Sequence, residues 1–137
     1  MVRVNLIDPK LLADQHLIAE YNEILMLLGS VNKINMELMP DNYKLGEGHI
    51  TFFKNKLKYL EERHGLLIKE MKNRGFNVNK KFEIGDIDLK LYKNWKPKKE
   101  DFEVIKERLI QKYNIKPNFY RYYKEKKDVE FFVRLLK

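Results

Sequence analysis

The sequence has 137 residues and no cysteine, which excludes disulfide bonds, thiolate nucleophiles and cysteine metal ligands. It contains no internal repeat and no low-complexity segment. No run approaches the 18 apolar residues of a membrane span, and the start, MVRVNLIDPK, lacks the apolar core of a signal peptide. We therefore expect a soluble intracellular protein in the cytoplasm or nucleoid, with a nuclear or viral setting left open.

The most unusual feature of the composition is its excess of positively charged residues. The chain carries 28 Lys and Arg against 20 Asp and Glu, a formal net charge of +8, and its pI is near 9.5. A surplus of this size favours a polyanionic partner, nucleic acid before membrane. A generally basic, lysine-rich proteome is the alternative explanation.

Apolar periodicity predicts three main helices. The first is predicted to begin with Asp8 as N-cap and Pro9 as first helical residue, and to extend toward Leu38. The second covers about 46–74 and stops at Gly75, a typical C′ residue. The third opens near Pro97 and continues to about residue 114, with Phe102, Ile105, Leu109 and Tyr113 along one face.

Two regions fit this helical pattern less well. Residues 77–96 are irregular, and 128–137 predict a last short helix. Gly65, inside the second helix, indicates a kink or a close helix crossing. We conclude that 1–137 form a single compact all-α domain of three main helices with long irregular connections. Each main helix is amphipathic, which a buried core requires.

The stretch DQHLIAEYNEI, residues 14–24, places side chains that could act in catalysis or metal binding on one face of the first helix. Leu17, Tyr21 and Ile24 form the core stripe, whereas His16, Glu20 and Glu23 share another face on which Ala19 leaves room. A metal site is one interpretation, since His and Glu at i, i+4 can reach one ion. That signal is weak because no second His/Glu helix pair matches it. The face could also simply bond to loops and solvent.

A segment rich in aromatic and basic residues follows the third helix. Its aromatic rings offer stacking or packing surfaces, and its cations suit phosphates. A packed aromatic core with a basic rim is the equally simple alternative. The candidate DNA contacts here are Lys116, Phe119, Tyr120, Arg121, Tyr122, Tyr123 and Lys124, and Lys33 is a further candidate phosphate contact.

The N-terminal amine is a candidate nucleophile. Val2 is small, so we expect removal of Met1 to leave a free amine on Val2. An α-amine has a pKa of about 7.7–8.0, so roughly a tenth of it is neutral at pH 7, far more than for lysine. Arg3 and a cleft of low dielectric constant would lower this pKa further. Such an amine attacks a carbonyl-like carbon and forms a Schiff base.

Four segments together resemble one family. RVNLIDPKLLADQHLIAEYNEI, LGEGHITFFKNKLKYLEER, RGFNV and KPNFYRYY occur in the order found in the pyrimidine-dimer DNA glycosylase/AP lyases of the phage endonuclease V type. The resemblance covers most of the chain, although residues 77–96 match poorly and about 125–137 form a tail beyond it. The combination is far more specific than any single segment.

The resemblance implies a DNA repair enzyme that needs no metal or cofactor and acts as a monomer. Its substrate is double-stranded DNA containing pyrimidine dimers or abasic sites. The Val2 amine would attack C1′ of the 5′ nucleotide of the dimer, and β-elimination would then cut the strand. The resemblance assigns Glu23 as the essential carboxylate and places Arg3 and His16 at the site. Glu20 is assigned a supporting and mainly structural role.

Two positions depart from the family pattern. Basic residues are usual where this chain has Asn22 and Met26. Losing two phosphate contacts predicts weaker binding, with a salt dependence flatter by about two units of slope. Asn22 is therefore included among the supporting site residues. The departures leave two alternatives open: a duplex-DNA-binding module of the same fold with weak or lost catalysis, or an AP lyase with broader lesion specificity.

Overall fold

The structure is a computed structural model that describes residues 4–30, 40–46, 48–85 and 88–137. The predicted site residues Val2, Arg3 and Lys33 lie outside the described residues, as does the predicted extension of the first helix toward Leu38. Nothing in the described part of the chain is both long and apolar enough, as a helix, to cross a membrane.

Helices dominate the described residues, which confirms the predicted all-α class. The α-helices are α1 (Asp14–Gly29), α2 (His49–Phe53), α3 (Leu57–Asn73), α4 (Lys99–Ile115) and α5 (Val129–Leu136). Short 3₁₀ turns cover Pro9–Leu11 and Leu89–Leu91. The strands β1 (Arg121–Tyr122) and β2 (Glu125–Lys126) form a small antiparallel hairpin.

The first helix starts later than predicted. Asp8 does cap a turn, since its carboxylate accepts from the Lys10 N–H at 3.0 Å, but that turn is a 3₁₀ turn that ends by Leu12. The reason is the buried Arg74, whose guanidinium donates to the carbonyls of Pro9 at 3.1 Å and Leu12 at 2.8 Å. The Pro9 carbonyl also accepts from the Leu12 N–H at 3.1 Å within the 3₁₀ turn, whereas the Leu12 carbonyl bonds to Arg74 and not to a described helical N–H, so α1 begins only at Asp14.

The predicted second helix is interrupted. Lys56 leaves the helical conformation and pairs with Tyr92 in an isolated bridge, so α2 and α3 are separate helices. The end of α3 is as predicted, because Gly75 follows with φ +81°. Of the two alternatives for Gly65, the close helix crossing was wrong: Gly65 is exposed, and apart from the backbone of its own helix no described atom lies within 4 Å of a Cβ built there.

One hydrophobic core joins the helices. It lies mainly between α1 and α3, and α4 and α5 pack together beside it. Tyr113 on α4 stacks on Phe132 on α5 with ring centroids 4.6 Å apart, and both rings are buried. Leu136 is buried as well. The C-terminal tail predicted from the sequence thus packs into the same core as the main helices.

Candidate active site

A cleft of about 370 Å³ lies between α1, α4 and the aromatic segment that follows α4. The face predicted from residues 14–24 forms one of its walls, and Ala19 keeps that wall open. The residues that line the cleft are Asn5, Gln15, His16, Ala19, Glu20, Glu23, Arg108, Leu109, Lys112, Phe119 and Tyr120. The structure therefore brings the two carboxylates, the histidine and the aromatic segment together.

Asn22 is the predicted α1 residue that does not line this cleft. Its side-chain amide donates to the Ile18 carbonyl at 3.2 Å, one turn back on the same helix. Met26 is 65% exposed. The two positions that depart from the family pattern therefore do not line the cleft.

Glu20 is fully buried and held in a forked ion pair. Arg63 on α3 donates from Nε to Oε2 at 2.7 Å and from Nη2 to Oε1 at 3.0 Å, and also donates to the Ile7 carbonyl. Burial alone would lower the pKa of Arg63, but the charge and hydrogen bonds of Glu20 raise it above its ordinary value. Glu20 thus fixes α1 on α3, whereas Glu23 lines the cleft less than one turn further on.

His16 is neutral at pH 7. Burial, together with the charges of Lys112 and Arg108, lowers its pKa from 6.5 to about 4. Its ring lies against Tyr120 and Tyr113, with centroids 4.7 and 5.3 Å away, and its Nδ1 lies 3.4 Å from the Tyr113 hydroxyl oxygen. His16 can therefore exchange hydrogen bonds in the cleft without adding positive charge.

Two cations of α4, Arg108 and Lys112, form the wall opposite the carboxylates and were missed by sequence reasoning. They are four residues apart and share one side of the helix. Arg108 directly precedes Leu109, and Lys112 directly precedes Tyr113; both Leu109 and Tyr113 belong to the predicted core stripe of α4. This position beside the buried stripe is the sequence signal that could have identified the two cations. A guanidinium and an ammonium at this spacing suit the phosphates of a nucleic acid strand.

Gln15 was also missed, although it lies in the stretch that the analysis singled out. Its amide donates to the Phe119 carbonyl at 2.8 Å, and its oxygen accepts from the Arg121 N–H at 3.0 Å. This pair of bonds fastens the aromatic segment to the first turn of α1. Phe119 is nevertheless 48% exposed, with Lys116 4.8 Å from its ring centroid, while Tyr120 is buried.

A second buried network holds the β1–β2 hairpin. Asp14 accepts from Arg74 at 2.9 Å and from the backbone N–H groups of Tyr123 and Lys124 at 3.1 and 2.7 Å. The rings of Tyr122 and Tyr123 cover the Arg74 guanidinium. Of the predicted DNA contacts, these two tyrosines thus have intramolecular partners, whereas Arg121 is exposed on the hairpin. Their role in DNA binding stays a prediction.

A cleft with carboxylates on one wall and cations on the other, in a chain of net charge +8, is typical of a protein that acts on nucleic acid. Comparison with known protein families identifies the particular class of protein. Residues 1–84, more than half of the chain, match the family described as pyrimidine dimer DNA glycosylase. The chain belongs to this family, and its substrate is DNA. The match ends before α4, so it includes His16, Glu20 and Glu23 but not the cationic wall.

Proposed function

We propose that the chain is a bifunctional enzyme that removes cyclobutane pyrimidine dimers by attack of the Val2 amine and then cleaves the abasic site. One observation carries the proposal: Asn5 lines the same cleft as Glu23. Val2 precedes the buried Val4 by two residues, and two residues span at most about 7 Å. Chain length therefore allows the amine of a chain that begins at Val2 to reach that cleft.

The proposed reaction has two steps. The neutral amine forms a bond to C1′ of the 5′ nucleotide of the dimer while the C1′–N bond breaks, and the electron pair of that bond leaves with the pyrimidine. The amine gives a proton to the departing pyrimidine, and the sugar ring then opens as its C1′–O4′ bond breaks and O4′ takes up a proton from water, which leaves a protonated imine. Removal of a C2′ proton then expels the 3′ phosphate, which breaks the strand on the 3′ side of the lesion.

Glu23 is proposed to act on the charged species of both steps. A carboxylate beside the cleft stabilises the positive charge that develops on the sugar and then on the imine. It is also a suitable base for the C2′ proton. Glu20 is a poor candidate for either role, since its two oxygens are bonded to Arg63.

The cations and the neutral histidine complete the proposed site. Arg108 and Lys112 are suited to bind the phosphates that flank the lesion. Because His16 is neutral at pH 7, it does not oppose the positive charge that forms on the sugar. To reach a C1′ inside the duplex, the enzyme is expected to kink the DNA and turn out the base opposite the lesion, as the family resemblance implies.

The test combines borohydride trapping with a Glu23→Gln variant. Wild-type protein with a verified Val2 terminus is incubated with a duplex containing one thymine dimer, and the trapped peptide is mapped. We expect a cross-link at the Val2 amine, and we expect Glu23→Gln to bind the duplex normally with strand cleavage reduced about 100-fold or more. Glu62→Gln, an exposed substitution on α3, is the matched control and should cleave normally. Normal cleavage by Glu23→Gln would refute the role of Glu23.

Asn22 and Met26 favour a second candidate, an AP lyase whose glycosylase step is weak or directed at other lesions. Both positions lack the cation that is usual in the family, which removes positive charge near the cleft mouth. A parallel duplex with an abasic site separates the two functions. A cross-link only on the abasic duplex would support the broader lyase, and a cross-link on neither duplex would support a module that binds DNA without catalysis.

A further inference from the structure

The backbone of Val4 is held from both sides by buried side chains. Its N–H donates to Nε2 of His49 at 2.9 Å, and its carbonyl accepts from the Tyr43 hydroxyl at 3.1 Å. All three residues are buried. Tyr43 and His49 lie about forty residues away along the chain, so the first described residue of the N-terminal segment is fixed by tertiary hydrogen bonds and not by a local turn.

The hydrogen bond of the other ring nitrogen of His49 shows which of its two nitrogens carries the proton. His49 Nδ1 lies 2.7 Å from the Lys44 carbonyl, which can only accept, so Nδ1 carries the proton. Nε2 is then the unprotonated nitrogen and the acceptor for Val4. The Tyr43 and Phe53 rings pack edge-on against His49, with centroids 5.4 Å away in each case. His49 is therefore held as a neutral imidazole in one orientation.

The loop before α2 is shaped to present this histidine. Gly46 and Gly48 have φ of +76° and +88°, which residues with side chains rarely adopt. A Cβ at Gly48 would also lie 3.0 Å from Cγ of Pro40. His49 follows directly as the first residue of α2. Both glycines thus serve to place one ring against Val4, although the predicted helix pattern had treated them as an ordinary helix start.

We propose that His49 and Tyr43 are positioning residues that aim the N-terminal amine at the reacting sugar carbon by holding Val4. The inference rests on the proposed function, because it assigns these residues a part in imine formation. Only one residue separates Val4 from Val2, so the position of Val4 limits where the amine can lie. A misplacement of about 1 Å in a reacting group can reduce a rate about 100-fold.

Neither side chain lines the cleft that contains Glu23, which separates this role from substrate binding. Loss of the two bonds should therefore slow the chemical step and leave DNA affinity unchanged. A purely structural role predicts a different pattern, in which melting temperature and DNA affinity fall together with the rate. The two explanations can thus be separated by measuring the rate and the affinity in the same variants.

The experiment uses the full chain with a verified Val2 terminus and a thymine-dimer duplex. Tyr43→Phe deletes only the hydroxyl that donates to Val4, and Tyr59→Phe is the matched control. Tyr59 belongs to the same aromatic cluster, stacked on Phe53, and has no bond to Val4 among the described residues. His49→Phe removes the acceptor for the Val4 N–H, while His49→Gln restores an acceptor at a similar reach. Single-turnover imine trapping, duplex affinity and hydrogen exchange of the Val4 amide are measured for each.

We expect imine formation to slow about 5-fold in Tyr43→Phe and about 30- to 100-fold in His49→Phe. His49→Gln should recover part of the rate, and Tyr59→Phe should match the wild type. Duplex affinity should change less than 2-fold throughout, and the Val4 amide should exchange faster in His49→Phe. Wild-type rates in folded Tyr43→Phe and His49→Phe would overturn the inference. Absence of any Val2 cross-link in the wild type would instead overturn the proposed function.

Discussion

Glu20→Gln should destabilise the protein strongly, although the change is isosteric. The substitution removes the negative charge that balances Arg63 and leaves one acceptor oxygen for two donor groups. Both side chains are almost completely buried, with 3% exposure for Arg63 and none for Glu20. Leaving a buried charge without its partner costs about 3–5 kcal/mol. For a chain of this size, that loss corresponds to a melting temperature lower by about 10–15 °C.

Thermal denaturation followed by circular dichroism measures this effect, with Glu23→Gln as the matched control. That control makes the same change less than one turn away on the same helix and should melt within about 2 °C of the wild type. Replacing both partners, as Glu20→Leu with Arg63→Met, should recover most of the lost stability because no unpaired charge remains. A Glu20→Gln protein that melts like the wild type would refute the view that this ion pair anchors α1 to α3.

Three further predictions concern the cleft. Arg108→Gln should weaken duplex binding and reduce the slope of log K against log salt by about one unit, as measured by fluorescence anisotropy at several salt concentrations. Gln15→Ala loses two exposed hydrogen bonds to the aromatic segment and should lower the free energy of unfolding by about 1 kcal/mol in urea titrations. The pKa of His16 is about 4 in the folded protein and 6.5 when unfolded, so stability should fall as pH decreases from about 6.5 toward 4. His16→Gln should remove this part of the pH dependence, and an unchanged profile would contradict the assignment.

Local pattern was sufficient to predict one wall of the cleft. Helical periodicity places His16, Glu20 and Glu23 on one face whatever the tertiary structure, provided that the helix forms. The same argument separates Leu17 and Tyr21 into the core, where the structure has them. The family follows from the order of several specific segments, and the family match over residues 1–84 confirms it.

Partners distant in sequence could not be predicted. Arg63 lies 43 residues from Glu20 and Arg74 lies 60 residues from Asp14, although Arg74 also pairs with Glu70 one turn back at 2.8 Å. The i, i+4 spacing of Glu70 and Arg74 is visible in the sequence, but it does not show that the pair is buried or that Arg74 also binds Asp14. The same limit explains the late start of α1, since the carbonyls of Pro9 and Leu12 bond to Arg74. The interruption between α2 and α3 likewise depends on the bridge of Lys56 to Tyr92, 36 positions apart.

The three carboxylates of α1 have different roles. Two form buried ion pairs that anchor the helix, and the third lines the cleft. This division explains why one helix can carry three negative charges. Asp14 accepts directly from two N–H groups of the hairpin and pairs with Arg74, and Glu20 holds α3 through Arg63, so both charges are neutralised inside the protein. The two anchors fix the helix at its first turn and at its middle. A side chain that lies between or just beyond two anchored positions of a helix moves little. A reacting group requires such a fixed position. Glu23 lies three residues beyond Glu20, and the rigidity of its position comes from the two carboxylates that take no part in the proposed chemistry.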